Sequence, residues 1–141
     1  MISSNPAGTP RVTQLRLVVH VDDYDAAVAF YRDALGLPEE EAYSGEGGAE
    51  VMILDAGRAT LEIANTEQKH FIDSVEVGRQ VAPRLRVAFE VADAEGVTRT
   101  LADNGAELVA APVKTPWRSL NARLEAPGLH ITVFQELDPP K

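Results

Sequence analysis

Residues 15–36 read LRLVVHVDDYDAAVAFYRDALG, and residues 85–105 read LRVAFEVADAEGVTRTLADNG. Both stretches have the same order: an apolar strand, an Asp at a turn, an amphipathic helix and a Gly stop. Asp23 and Asp93 mark equivalent points 70 residues apart, and Arg16 and Arg86 share one offset from them. A repeated supersecondary unit buries its apolar face against its twin, so function is expected where the two halves meet.

Working outward, Leu15–Val21 has the composition of a strand, and Asp22-Asp23 offers an N-cap. Tyr24, Ala27, Val28, Tyr31, Ala34 and Leu35 then recur at helical spacing up to Gly36. Glu40–Ser44 reads as a short strand. Glu50–Asp55 and Ala59–Ala64 read as a hairpin about Ala56-Gly57-Arg58. The first unit is therefore β-α-β-β-β over residues 13–64. Residues 65–82 form a connector in which Phe71, Ile72 and Val75 predict one face of a short helix. The second unit, residues 83–137, has a strand at Arg84–Val91 and a helix at Ala94–Asn104. Strands at Glu107–Ala110, Arg118–Glu125 and His130–Gln135 follow. The fold class is α+β.

Composition narrows the function. A chain of 141 residues, 45% apolar, suits one compact domain or two small halves sharing a core. No run approaches the roughly 18 apolar residues of a membrane span, so no membrane partner is expected. The segment MISSNPAGTPRVTQ lacks the basic start and apolar stretch of a signal peptide and reads as a loose arm. With no cysteine there is no disulfide, no thiolate chemistry and no zinc–sulfur site. A cytoplasmic protein is the expectation. The net charge of −9 is uneven: residues 1–64 carry 4 basic and 11 acidic side chains, residues 65–141 carry 9 and 11. That field argues against nucleic acid, whose phosphates need a basic footprint. It would draw a cationic ligand, or simply keep the protein soluble.

The tandem order, with DDYDAAVAFYRDALGL on the first helix, resembles the vicinal oxygen chelate superfamily over about residues 13–137. That superfamily includes glyoxalase I, extradiol dioxygenases, methylmalonyl-CoA epimerase, fosfomycin-resistance proteins and bleomycin-binding proteins. The resemblance implies two half-barrels around a cleft. In its metal enzymes each unit gives ligands from its first and last strands, and the matching positions here are Arg16, Glu62, Arg86 and Thr132. The turn before Thr132 is Ala126-Pro127-Gly128, without the Asp residues of the family pattern. Only Glu62 keeps a metal ligand. A guanidinium has no lone pair to give and would repel a cation, so the usual metal site is not expected, nor any cofactor.

Strand alternation lists what should face the cleft. Arg16 shares its face with Val18 and His20, and Glu62 with Thr60 and Ala64. Arg86 goes with Arg84, Ala88 and Glu90, and Thr132 with His130 and Phe134. The opposite parity is almost wholly apolar and should pack under the helices: Leu15, Leu17, Val19, Leu61, Ile63, Leu85, Val87, Phe89, Ile131 and Val133. Two readings of the cleft charges stand. Arg16–Glu62 and Arg86–Glu90 pair across the sheet, or one Arg binds a ligand carboxylate, phosphate or enolate through its fork. A different metal site from His20, Glu62, Glu90 and His130 fails on spacing, because His20 lies about 13 Å along the strand from Arg16. Either His could be a general base or only a wall residue. Trp117 could stack on a planar ligand or close the core edge. Asn121 and Arg123 are further polar candidates, whereas His70 in the connector should face solvent.

The resemblance thus implies a metal-independent small-molecule-binding protein of the bleomycin-resistance type, a homodimer with its ligand in the inter-unit cleft. The alternative is a cofactorless isomerase or lyase of a small carbonyl or polyketide-like substrate, with Arg16 and Arg86 stabilising an enolate and His20 or Glu62 moving the proton. An accessory or regulatory domain is a third possibility.

Overall fold

The structure is a computed structural model, which describes residues 14, 16–59, 62 and 64–137. Two sheets are present among them. Helix α1 (Tyr24–Val28) begins where the Asp23 carboxylate accepts from the Ala26 N–H at 3.0 Å. It runs on as a π-helix over Ala29–Ala34, in which the Leu35 N–H donates to the Phe30 carbonyl. Gly36, at φ +86, ends it as expected. The hairpin of β1 (Glu39–Ser44) and β2 (Glu50–Leu54) follows, antiparallel and closed by the turn Gly45–Ala49.

Helix α2 (Thr66–Glu76) is capped by Asn65, which accepts from the Gln68 N–H. Strand β3 (Val87–Glu90) then leads to α3 (Ala94–Asp103), where Asp93 accepts from the Gly96 N–H at 3.1 Å. Asp23 and Asp93 therefore do the same job at the start of their helices. Strands β4 (Glu107–Lys114), β5 (Ser119–Ala126) and β6 (Leu129–Glu136) complete a four-stranded sheet of order β3-β6-β5-β4, with β3 parallel to β6. The second half thus has the β-α-β-β-β order read from the sequence.

The first half differs. Arg16–Val21, Ala59, Glu62 and Ala64 are in no strand. Leu15, Thr60, Leu61 and Ile63 lie outside the described residues. β1 and β2 turn at Gly45–Ala49; at Ala56–Arg58 the Gly57 N–H closes a tight bend on the Asp55 carboxylate, and the strand expected to follow it lies in part outside the described residues. Every residue of β1 is exposed, and among the described residues no third strand joins the hairpin.

The core lies on one face of the larger sheet. Ala122, Leu124, Ile131 and Val133 meet Ala94 and Leu101 of α3 and, from the first half, Phe30. Phe30 stands edge-on to Tyr31, with ring centroids 5.0 Å apart. The Tyr31 hydroxyl donates to the Pro127 carbonyl at 2.7 Å, joining α1 to the β5–β6 turn. At that turn Gly128 has φ +74, and a Cβ there would lie 2.9 Å from the His20 carbonyl oxygen. Close packing of residues 19–21 on the turn therefore requires glycine. The parity expectation holds for Ile131 and Val133, which are buried. It fails for Leu17 and Leu85, which are exposed because the segments carrying them are not in a sheet. No described helix is long and apolar enough to cross a membrane.

Candidate functional site

Register places the candidate side chains on the face opposite the core. Thr132 is the partner of Ala88 on β3 and of Arg123 on β5, and Asn121 is the partner of Phe134. Residues two apart on a strand share a face, so His130, Thr132, Arg123 and Asn121 lie together. The sequence pictured this face as an open cleft. Instead α2 lies over it.

The reason is charge. Arg123 is wholly buried and needs carboxylates. Glu76 accepts from its Nε at 2.7 Å, and Asp73 sits 2.9 Å from its Nη1. Asn121 donates to the second Glu76 oxygen at 2.5 Å. Asp73 also accepts from the Val81 and Ala82 N–H groups, both at 3.0 Å, and pairs with Lys69 at 3.1 Å. Burial pushes the Asp73 carboxyl up, but those backbone donors, with Lys69 and Arg123, outweigh it and hold it well below the usual carboxylate range. The buried face of α2 is therefore Ile72, Asp73 and Glu76, whereas the expected face included Phe71, which is exposed. Asp73 and Glu76 are the residues that hydrophobic periodicity missed. The available signal was Arg123 itself, a cation alternating with Ala122 and Leu124 in a strand, which demanded an acidic partner.

His130 is buried between two side chains. Its Nδ1 lies 2.6 Å from Glu125 and its Nε2 3.3 Å from Arg123 Nη1. Arginine can only donate, so the tautomer that satisfies both contacts carries its hydrogen on Nδ1. That leaves His130 as a fixed wall group and not a free base.

Arg86 is half-buried and donates through Nη1 to the Thr132 hydroxyl at 2.6 Å. It does not pair with Glu90, which is exposed, and no described carboxylate forms an ion pair with it. Burial and then the neighbouring Arg123 charge lower its pKa, against the pull of Glu76, Glu62 and Asp73. Arg16 likewise does not pair with Glu62 among the described residues; its Nε donates to Gln14 at 2.9 Å in solvent. His20 and Glu62 are exposed. Trp117 closes an edge: its ring packs on Phe71 of α2, centroids 6.0 Å apart.

A cavity of about 710 Å³ opens where Leu17–His20, Pro83–Leu85 and the β5–β6 turn meet. Its walls are largely apolar, with His20, Arg84, Glu125 and His130 supplying polar groups. Residues of the first half, Leu17–His20, and of the second half, Glu125, Ala126 and Gly128–His130, both line the cavity. Of the expected site residues, the structure brings Arg86 to Thr132, Asn121 to the α2 charges, and His20 and His130 to the cavity. It leaves Arg16, Glu90 and Trp117 apart from them, and Glu62 acts on Arg86 through space without an ion pair.

The metal of the superfamily does not fit these side chains. Arg16 and Arg86 have no lone pair, and the Thr132 oxygen already accepts from Arg86. Among the described residues no three His, Asp or Glu side chains converge as a metal site would need.

A search of curated proteins finds no match. Among solved structures the chain is similar to a glyoxalase family protein from Bacillus cereus, 20% identical, covering 91% of this chain and 100% of that one at a TM-score of 0.58. It is also similar to a glyoxalase-related enzyme from Fulvimarina pelagi, 14% identical, covering 89% of each chain at 0.54. A hypothetical protein from S. aureus is 14% identical over 89% of this chain and 95% of that one, at 0.53. These likenesses show a shared fold. Residues 13–134 match the family model described as Glyoxalase/Bleomycin resistance protein/Dioxygenase superfamily, and the chain belongs to that superfamily.

Proposed function

We propose that this protein is a metal-independent member of its superfamily that binds a small molecule where its two halves meet. The observation that carries this reading is the cavity of about 710 Å³ at that junction. Its size suits a small ligand, and an apolar wall with a few polar groups is the usual make-up of such a site. Metal independence is supported by the donor set, since guanidinium groups stand at two of the four ligand positions. The isomerase or lyase alternative asks His20 or Glu62 to move a proton. Both are exposed, and neither side chain has a hydrogen-bond partner among the described residues to orient it, so binding is the better supported reading.

The test is metal analysis of protein purified without chelator, followed by thermal shifts with glycopeptide cations, aromatic acids and neutral aromatics. Substoichiometric metal and a saturable shift with one ligand class are expected. Stoichiometric zinc, nickel or iron would overturn metal independence. Turnover of an added carbonyl compound, lost in Glu62→Gln, would favour the enzyme.

A further inference from the structure

The charged groups on the cavity wall select a chemical class of ligand, an inference that rests on the cavity being the binding site. Arg84 and Glu125 carry opposite charge, and both line the cavity itself. No ion pair joins them, and among the described residues no carboxylate pairs with Arg84. Neither stands at a metal-ligand position of the superfamily, which here are Arg16, Glu62, Arg86 and Thr132.

Each is held in place from behind. Glu125 faces His130 across the β5–β6 ladder, and the buried His130 donates to it through Nδ1 at 2.6 Å. That bond takes one oxygen. A carboxylate has about four acceptor positions, and this side chain is 47% exposed, so its second oxygen is open to a donor in the cavity. Arg84 sits on a short segment pinned at both ends. On one side Asp73 accepts from the Val81 and Ala82 N–H groups at 3.0 Å, and Pro83 stiffens the step between. On the other, Val87 enters the ladder opposite Ile131.

A cation and an anion on the walls of one largely apolar cavity discriminate by charge. A ligand anion at Arg84 leaves Glu125 unmatched, and a ligand cation at Glu125 leaves Arg84 unmatched. Only a molecule bearing both charges satisfies both groups. We propose that the cavity takes a zwitterionic amino acid or peptide-like compound. Glu125, oriented by His130, holds its ammonium group and Arg84 its carboxylate, while an apolar side chain lies against Leu17, Val19 and Leu129.

Phenylalanine, phenethylamine and 3-phenylpropionate test this. They share a ring and a two-carbon chain, and carry both charges, the positive alone and the negative alone. Amide ¹H–¹⁵N spectra of the full chain are recorded near neutral pH during titration with each. Phenylalanine should shift residues 17–20, 84–85 and 125–130 saturably, and each single-charge probe should bind roughly tenfold more weakly. Glu125→Gln should bring phenylalanine down to the 3-phenylpropionate level, and Arg84→Gln should bring it down to the phenethylamine level. The wild-type comparison needs no variant, so a misfolded variant leaves the proposal testable. Phenylalanine binding no tighter than the better single-charge probe overturns the zwitterion site and leaves the cavity reading standing. No saturable shift from any of the three overturns both.

Discussion

Arg123 of β5 and Asp73 of α2 form an ion pair at 2.9 Å with neither side chain exposed to solvent. A buried pair is weak support for stability as a whole, because desolvation of both charges opposes their attraction. It is strong support for position, since either charge alone is intolerable there. Helix α2 is thereby fixed over the face of the sheet opposite the core by ion pairing as well as by apolar contact.

Removing one partner should therefore cost more than an ordinary polar substitution. Asp73→Asn is expected to lower stability by about 3–5 kcal/mol near neutral pH, measured by urea unfolding. The sign of the pH effect follows from a carboxyl held below its ordinary range. Its stabilisation is full above the unfolded value, near pH 4, and disappears as pH falls toward the lowered folded value. The gap between the native protein and Asp73→Asn should shrink below about pH 4. A gap constant down to pH 2.5 would contradict the pairing.

Tyr31 gives the opposite sign. Burial pushes its phenol up to about 12, so its contribution is complete below the unfolded value near 10 and is lost as pH rises above it. Tyr31→Phe leaves the Pro127 carbonyl without its donor and should cost about 1 kcal/mol at neutral pH. The variant should also lose less stability than the native protein between pH 9 and 11. Equal alkaline slopes would show that Tyr31 is not protected from ionisation.

Gly128→Ala tests how the first half is seated on the second. The new Cβ would meet the His20 carbonyl oxygen at 2.9 Å and the Val19 Cγ1 at 3.0 Å, on a backbone at φ +74. A loss of about 1–3 kcal/mol is expected. Amide exchange should rise at residues 19–21 before it rises in the β5–β6 strands.

The features legible in the sequence are those set by local rules. Asp23 and Asp93 announced two helix starts because an N-cap is a short-range device, and alternation sorted Ile131 and Val133 from His130 and Thr132 because a strand has period two. Phe30 docking into the second half's core was not legible, since its helical spacing names a buried face and not the sheet that buries it. Asp73 and Glu76 were hidden for a related reason: periodicity counts apolar residues, and this helix buries carboxylates. At the site, the residue types at the superfamily's ligand positions, Arg16, Glu62, Arg86 and Thr132, were readable residue by residue. That Arg86 turns to Thr132 on β6 and not to Glu90 on its own segment depended on the pairing of β3 with β6, which spacing along one segment does not reveal.

Arg118 carries the one positive φ among the described non-glycine residues, at 63. It sits in the turn between β4 and β5, where its N–H donates to Thr115 and its carbonyl accepts from Leu137. The buried Thr115 and Ser119 hydroxyls, 2.8 Å apart, lock the turn. Arg118→Gly removes the Cβ conflict of a left-handed residue and should raise stability by about 0.5–1 kcal/mol.

Trp117, the sole tryptophan, makes α2 docking observable. Its ring lies 6.0 Å from Phe71 at a tilt of 52° and is 40% exposed. The emission of Trp117 should therefore report whether α2 lies on the sheet. Phe71→Ala is expected to shift that emission to the red and to cost about 0.5–1.5 kcal/mol. Asp73→Asn should give a red shift of its own, because loss of the Arg123 pair loosens the same helix only two residues from Phe71. The two effects share one element and so should not add: a double variant is expected to shift emission little beyond the larger single shift. Additive shifts would mean that Phe71 covers Trp117 locally while the helix stays in place.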